Sequence, residues 1–165
     1  MMKKNAGFKT GNLELIPITQ NIGVDDVKKR FPSDCISEEE RTWTKAHLSE
    51  YDVIFLVCDL SGAKILGSVM CKADEQTPET IELLFRNLDD LPIKDFCNIV
   101  YYSSQWLFKF ANKNKVLLFN NGFEKKVINK LRLLEFKKSK RDGYLERIIP
   151  DNDPTSVIIS VLNSL

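Results

Sequence analysis

The stretch from Thr80 to Asn120 constrains this chain more than any other. Thr80-Ile-Glu-Leu-Leu-Phe-Arg is a short apolar run of strand type. Pro92 then opens a helix whose stripe residues recur at Ile93, Phe96, Cys97, Val100, Ser104, Leu107, Phe108 and Ala111. Spacings of three and four place them on one helical face. Asn112-Lys-Asn-Lys breaks the pattern, and Val116-Leu-Leu-Phe reads as a second buried strand. A strand, a crossover helix and a returning strand of this length predict a right-handed βαβ unit with its strands parallel.

The flanks predict a mixed sheet. Residues 1–11 read as a loose polar start. Leu13 to Ile18 alternates as a strand, with Pro17 near its end or on an edge. Asp25 to Phe31 reads as a short helix with acids first and bases last. Ser37 with Glu40 three residues on is a capping box, opening a helix through Trp43 to about Glu50. Asp52 to Asp59 and Ile65 to Lys72 read as an antiparallel hairpin, with Gly62 free to take positive φ in the turn. Gly122 to Leu134 is a last helix, followed by strands near Glu135–Lys138, at Tyr144–Ile149 and at Ser156–Leu162. At 165 residues this predicts one domain, spanning 1–165.

Bulk properties narrow the function classes. A net charge of +1 supplies no global field toward nucleic acid or membrane. Cys35, Cys58, Cys71 and Cys97 lie far apart with no CxxC pair, so neither a zinc ribbon nor a redox motif is expected. With a single histidine, His47, no metal constellation is expected. Met1-Met-Lys-Lys precedes polar residues rather than a long apolar run, and no stretch approaches a membrane span. These features make a cytoplasmic protein with no membrane partner the expectation.

Together the elements give an α/β (α+β) fold: a mixed, mostly antiparallel central sheet with helices on both faces. This order resembles that of the GCN5-related N-acetyltransferases across essentially the whole chain. Leu133-Leu-Glu-Phe-Lys-Lys-Ser is similar to that family's leucine-glycine-phenylalanine segment, with Glu135 where glycine is usual. The hairpin with Gly67 in its return strand fits as well.

The resemblance implies transfer of an acyl group from acetyl-coenzyme A, or another acyl-coenzyme A, to a small-molecule or protein amine. It implies that the pantetheine arm lies along the strand of Leu84, Phe85 and Arg86, and that the pyrophosphate meets the helix start near Lys94. Asn121 is placed to bond a pantetheine amide. Such chemistry needs a base for the amine and an acid for the thiolate. Glu82 is the base candidate. The family's usual tyrosine position falls on Leu131, leaving Tyr101, Tyr102 and Tyr144 as acids if the fold brings one near; Tyr144 is the choice carried forward. No metal is implied.

Two features pull the other way. Arg86-Asn-Leu-Asp-Asp-Leu-Pro-Ile-Lys-Asp-Phe contains no glycine, and Asp89, Asp90 and Asp95 oppose a pyrophosphate. Carboxylates there are expected to cap the helix instead. A catalytically inactive binding or interaction module of the same fold, engaging a protein partner, is therefore the alternative. From Lys109 to Arg147 there are twelve basic residues against Glu124, Glu135, Asp142 and Glu146. That asymmetry would suit an acidic partner, the 3′-phosphate of coenzyme A or, as the remaining alternative, nucleic acid.

Overall fold

The computed structural model describes residues 7–21, 23, 25 and 36–149. In chain order the described elements are β1 (Phe8–Thr10), β2 (Leu13–Ile18), α1 (Glu38–His47), β3 (Val53–Asp59), β4 (Lys64–Ala73) and β5 (Thr80–Arg86). They continue with α2 (Ile93–Phe110), β6 (Lys115–Phe119), α3 (Lys125–Leu133), β7 (Lys137–Lys138) and β8 (Tyr144–Ile148). The strands form a mixed, mostly antiparallel sheet of order β1-β2-β3-β4-β5-β6-β8-β7, and β5–β6 is parallel as the sequence predicts. The expected helix at 25–31 falls, apart from Asp25, outside the described residues, and the expected strand at 156–162 falls wholly outside them. Residues 7–11 differ from the expected loose start: Phe8–Thr10 pairs with Leu13–Leu15, and the Phe8 ring packs edge-on against Phe55 at 5.9 Å.

The chain divides into two compact units. The first comprises residues up to Ala73 together with Leu84–Asp90. Its centre is β3, buried on both faces from Val53 to Cys58. Ile54, Leu56 and Cys58 meet Ile16, Ile18 and Met70, with Trp43 of α1 packed against them. Pro17 sits opposite Phe55, past Leu15, where the β1 ladder has ended. A proline there removes no bond to β1. Ser37 caps α1 by accepting from the Glu40 amide at 3.2 Å, as the capping box predicts, while the Glu40 carboxylate is engaged elsewhere. The hairpin turn departs from expectation: Ala63 takes the left-handed conformation, at φ +48°, rather than Gly62.

Gly67 is fixed by close approach. A Cβ there would overlap the Arg86 carbonyl oxygen and lie 2.9 Å from that of Asn87. Both obstacles are backbone, so no rotamer relieves them. Gly67→Ala is expected to destabilise by about 3 kcal/mol, the upper part of the overpacking range. Thermal melts should show the midpoint falling by roughly 10 °C.

The second unit comprises Asp74–Leu83 and the residues from Leu91 onward. The β5–β6 ladder runs from Thr80↔Lys115 to Leu83↔Leu118, and β8 pairs antiparallel with β6. Ile81, Leu83, Val116, Leu118 and Leu145 share one fully buried face. Arg147 lies there too, with no exposure, so it leaves the surface charge run in which the sequence places it. Its Nη1 donates to Ser104 Oγ at 2.6 Å, and Nη2 lies 3.7 Å from Glu135 Oε2. Its guanidinium lies over the Tyr101 ring at 4.4 Å and the Phe108 ring at 5.2 Å. Ser104 Oγ passes its own proton to the Tyr101 carbonyl at 2.7 Å.

α3 ends in a Schellman turn. The Phe136 amide donates to Leu131 O at 3.0 Å and the Glu135 amide to Arg132 O at 3.2 Å. This pattern requires a left-handed residue next to the cap, and Glu135 supplies it at φ +74°. The geometry explains why glycine is usual at this position in the family that the sequence resembles.

Candidate active site

The second face of the β5–β6–β8 ladder carries the candidate base and acid, Glu82 and Tyr144. Alternation puts Thr80 and Glu82 of β5 on it, with Lys115, Leu117 and Phe119 of β6 and Tyr144, Glu146 and Ile148 of β8. Register sets Leu117 beside Glu82 and opposite Glu146. The Tyr144 hydroxyl lies near the Glu82 carboxylate and the Arg141 guanidinium. Burial, then the charge of Glu82, pushes the Tyr144 phenol above its ordinary 10.0. This tyrosine therefore keeps its proton through neutral and mildly alkaline pH. Arg141 lies over the Tyr144 ring at 5.3 Å and is held by Asp74 Oδ2 at 2.8 Å. The Phe119 ring meets Tyr144 from the side at 5.3 Å.

Of the tyrosines considered from sequence, Tyr144 lies near Glu82. Tyr101 turns inward to Arg147, Tyr102 packs edge-on against Tyr101, and Leu131 is fully buried. Arg141 and Asp74 were not singled out from sequence. The signal that could have found Arg141 is its position three residues before Tyr144, across the tight turn closed by the Tyr144 amide on Arg141 O at 3.2 Å.

A cavity of about 540 Å³ opens on this same face. Lys115, Lys137, Lys138, Lys140 and Arg141 line it, with Glu146 as its single carboxylate among the described residues.

The expected cofactor residues lie as follows. Leu84, Phe85 and Arg86 continue β5 beyond the last β6 pair, and all three are half-buried. The Arg86 guanidinium is committed: Nη1 donates to Glu40 Oε2 at 2.8 Å, and the group lies over the Trp43 ring at 4.0 Å. Trp43 in turn stacks on His47 at 4.5 Å, and His47 Nδ1 donates to the Trp43 carbonyl at 2.8 Å. Lys94 is exposed in the first turn of α2, and Asn121 is exposed in a turn before Gly122. The expected carboxylate cap is corrected: Pro92 occupies the cap position of α2, with no side-chain cap hydrogen bond among the described residues. Asp89 and Asp90 are exposed. Asn87, at φ +60°, takes the left-handed position a glycine would otherwise fill.

Among the described residues no cluster of histidine, cysteine and carboxylate could hold a metal ion. No helix of the described residues is long and apolar enough to cross a membrane. Cys58, Cys71 and Cys97 are buried, with no disulfide among the described residues. Burial pushes the Cys97 thiol up to about 11, leaving it almost wholly in the unreactive thiol form at neutral pH.

No family model matches the chain, and no curated protein matches it by sequence. Solved structures do match by shape. A ribosomal-protein-S5-alanine acetyltransferase from Vibrio fischeri superposes with a TM-score of 0.54 at 13% identity, over 88% of this chain and 98% of its own. A GCN5-related N-acetyltransferase from Brucella melitensis gives 0.55 at 12% identity, over 98% of this chain and 86% of its own. A ribosomal L7/L12 alpha-N-protein acetyltransferase, solved in complex with coenzyme A, gives 0.53 at 12%, over 87% and 97%. The chain has the fold of the GCN5-related N-acetyltransferases, in a form far diverged in sequence.

Proposed function

We propose that the protein is an acyl-coenzyme A-dependent N-acyltransferase, moving an acetyl or related acyl group to an amine, with a divergent pyrophosphate loop. The observation that carries this reading is that two strand registers bring Glu82 and Tyr144 to one face of the sheet, with the phenol held above its ordinary value. A carboxylate and a phenol near each other supply a proton acceptor and a proton donor at one place.

Acyl-coenzyme A, when bound, supplies an activated thioester carbon. Glu82 accepts the proton that the attacking amine sheds as the new C–N bond forms. Tyr144 donates its proton to the sulfur as the C–S bond breaks. With both side chains on one face, the proton on Glu82 returns to Tyr144 directly or through solvent, restoring both. The residues present fit the acyl donor in two respects. Pro92 at the start of α2 makes no side-chain cap hydrogen bond, and exposed Lys94 in the first turn offsets Asp95 there, which favours an anion at that helix start. β5 also outruns its ladder by the three residues Leu84–Arg86, the stretch that the sequence resemblance assigns to the pantetheine arm. Glu40 holds the Arg86 guanidinium, so Arg86 serves there through its backbone.

That commitment of Arg86, with the glycine-free loop, also favours a second reading: a non-catalytic binding module. Acetyl-coenzyme A in a thermal-shift titration separates the two. A ligand at a hundred times its dissociation constant stabilises by about 2.7 kcal/mol, which for a chain of this size raises the midpoint by roughly 5–10 °C. An unmoved midpoint at millimolar acetyl-coenzyme A would leave only the second reading standing.

A further inference from the structure

We propose that the cavity beside Glu82 is a binding site for an anionic group, so that the acceptor amine carries a phosphate or a carboxylate. This specifies the acceptor and rests on the transferase reading; the anion site itself rests on geometry alone. The cavity volume, about 540 Å³, lies within the 300–1,000 Å³ usual for small-ligand sites. Its walls hold Lys115, Lys137, Lys138, Lys140 and Arg141 against Glu146. Asp74 neutralises Arg141, and Glu146 lies opposite Lys137 across the β7–β8 ladder. Among the described residues the four lysines have no ion-pair partner, so the cavity wall carries an excess of positive charge over the one carboxylate of Glu146. Like charges gathered around one concavity focus its field and raise the local concentration of an oppositely charged ligand.

Position ties this charge to the chemistry. Thr80 lines the cavity, and Glu82 follows it on the same face of β5, roughly 7 Å along the strand. Leu117, the register neighbour of Glu82, is also in the wall. An acceptor whose amine meets Glu82 would thus place an acidic group a few bonds away among Lys115, Lys137 and Lys138. An uncharged amine, or a polyamine, would gain nothing from this wall.

The test is calorimetric binding to the full chain without acyl donor, using O-phosphoethanolamine, γ-aminobutyrate and ethanolamine as probes. The first two should bind at least tenfold tighter than ethanolamine, and their ranking separates phosphate from carboxylate recognition. Lys115→Gln and Lys137→Gln should each weaken the better probe about fivefold, while Lys126→Gln, on the exposed side of α3, should not. All three lysines lie outside the buried core, and thermal melts confirm folding. Amide shifts on probe addition should centre on Leu117 and Ser139. Equal affinity for all three probes, or losses no larger in the cavity variants than in Lys126→Gln, would overturn the site. Binding that appears only with single-stranded nucleic acid would overturn it as well. No acyl donor is present, so failure here leaves the acetyl-coenzyme A result intact. Success here without that result keeps the anion site and removes the acceptor role.

Discussion

Arg147→Met should leave the protein as stable as before or more so, whereas Arg147→Ala should lower its stability by about 3–5 kcal/mol. The contrast follows from what surrounds the side chain. Arg147 is fully buried, and Nε and Nη2 have no hydrogen bond among the described residues. Burial, the largest influence, holds its guanidinium below the ordinary arginine value. Desolvating such a cation costs several kcal/mol, and one hydroxyl and one carboxylate at 3.7 Å return only part of it. Methionine fills a similar volume between Tyr101 and Phe108 without that penalty, and Ser104 keeps its bond to the Tyr101 carbonyl. Substitutions of this kind are neutral or stabilising by about 1–4 kcal/mol. Alanine removes the same charge but leaves a cavity the size of a long side chain, and large-to-small changes in cores cost about 3–5 kcal/mol. Thermal melts should separate the two variants by at least 10 °C. Equal destabilisation by both would show that the guanidinium itself stabilises the fold.

Glu82→Gln should reduce kcat by roughly 10²–10³, within the range ascribed to general acid–base catalysis, while leaving the acetyl-coenzyme A thermal shift unchanged. The substitution keeps the shape of the side chain but abolishes proton acceptance. Tyr144→Phe should lower kcat comparably, since the sulfur then leaves without a donor. The measurement is thiol release from acetyl-coenzyme A with the amine giving the fastest turnover. The sign of the pH effect follows from the raised Tyr144 value. Since that value lies above 10.0, the midpoint of any alkaline fall attributable to this residue should lie above pH 10. A Glu82→Gln variant with full activity would remove this residue from the mechanism.

The path from sequence to fold was short where periodicity is strong. The stripe from Ile93 to Ala111 and the apolar runs at Thr80 and Val116 carry their own geometry, and β5, α2 and β6 form where the pattern places them. β1 was missed because Phe8-Lys-Thr is too short to show alternation, and its pairing depends on a strand the local sequence does not reveal. Arg147 was read as surface because charge outweighed phase, although its spacing of two from Leu145 placed it on the buried face. The proximity of Glu82 and Tyr144 was not legible, because it depends on two successive registers, β5 on β6 and β6 on β8. Which of Tyr101, Tyr102 and Tyr144 shares a face with Glu82 depends on topology, which the local sequence does not carry.

Glu135 shows how a shape can outlast its spelling. The corner after α3 needs a backbone twist that glycine provides freely, and a glutamate held there by two amide bonds bears roughly 1 kcal/mol or more of strain. Glycine would relieve that twist but strip the buried arginine of its nearest carboxylate. With Arg147 in place, Glu135→Gly exchanges relief of backbone strain for a lost ion pair at 3.7 Å, whereas beside Arg147→Met it would relieve the strain alone. A comparison that reads letters meets a mismatch at the very corner where one that reads coordinates meets an old fold.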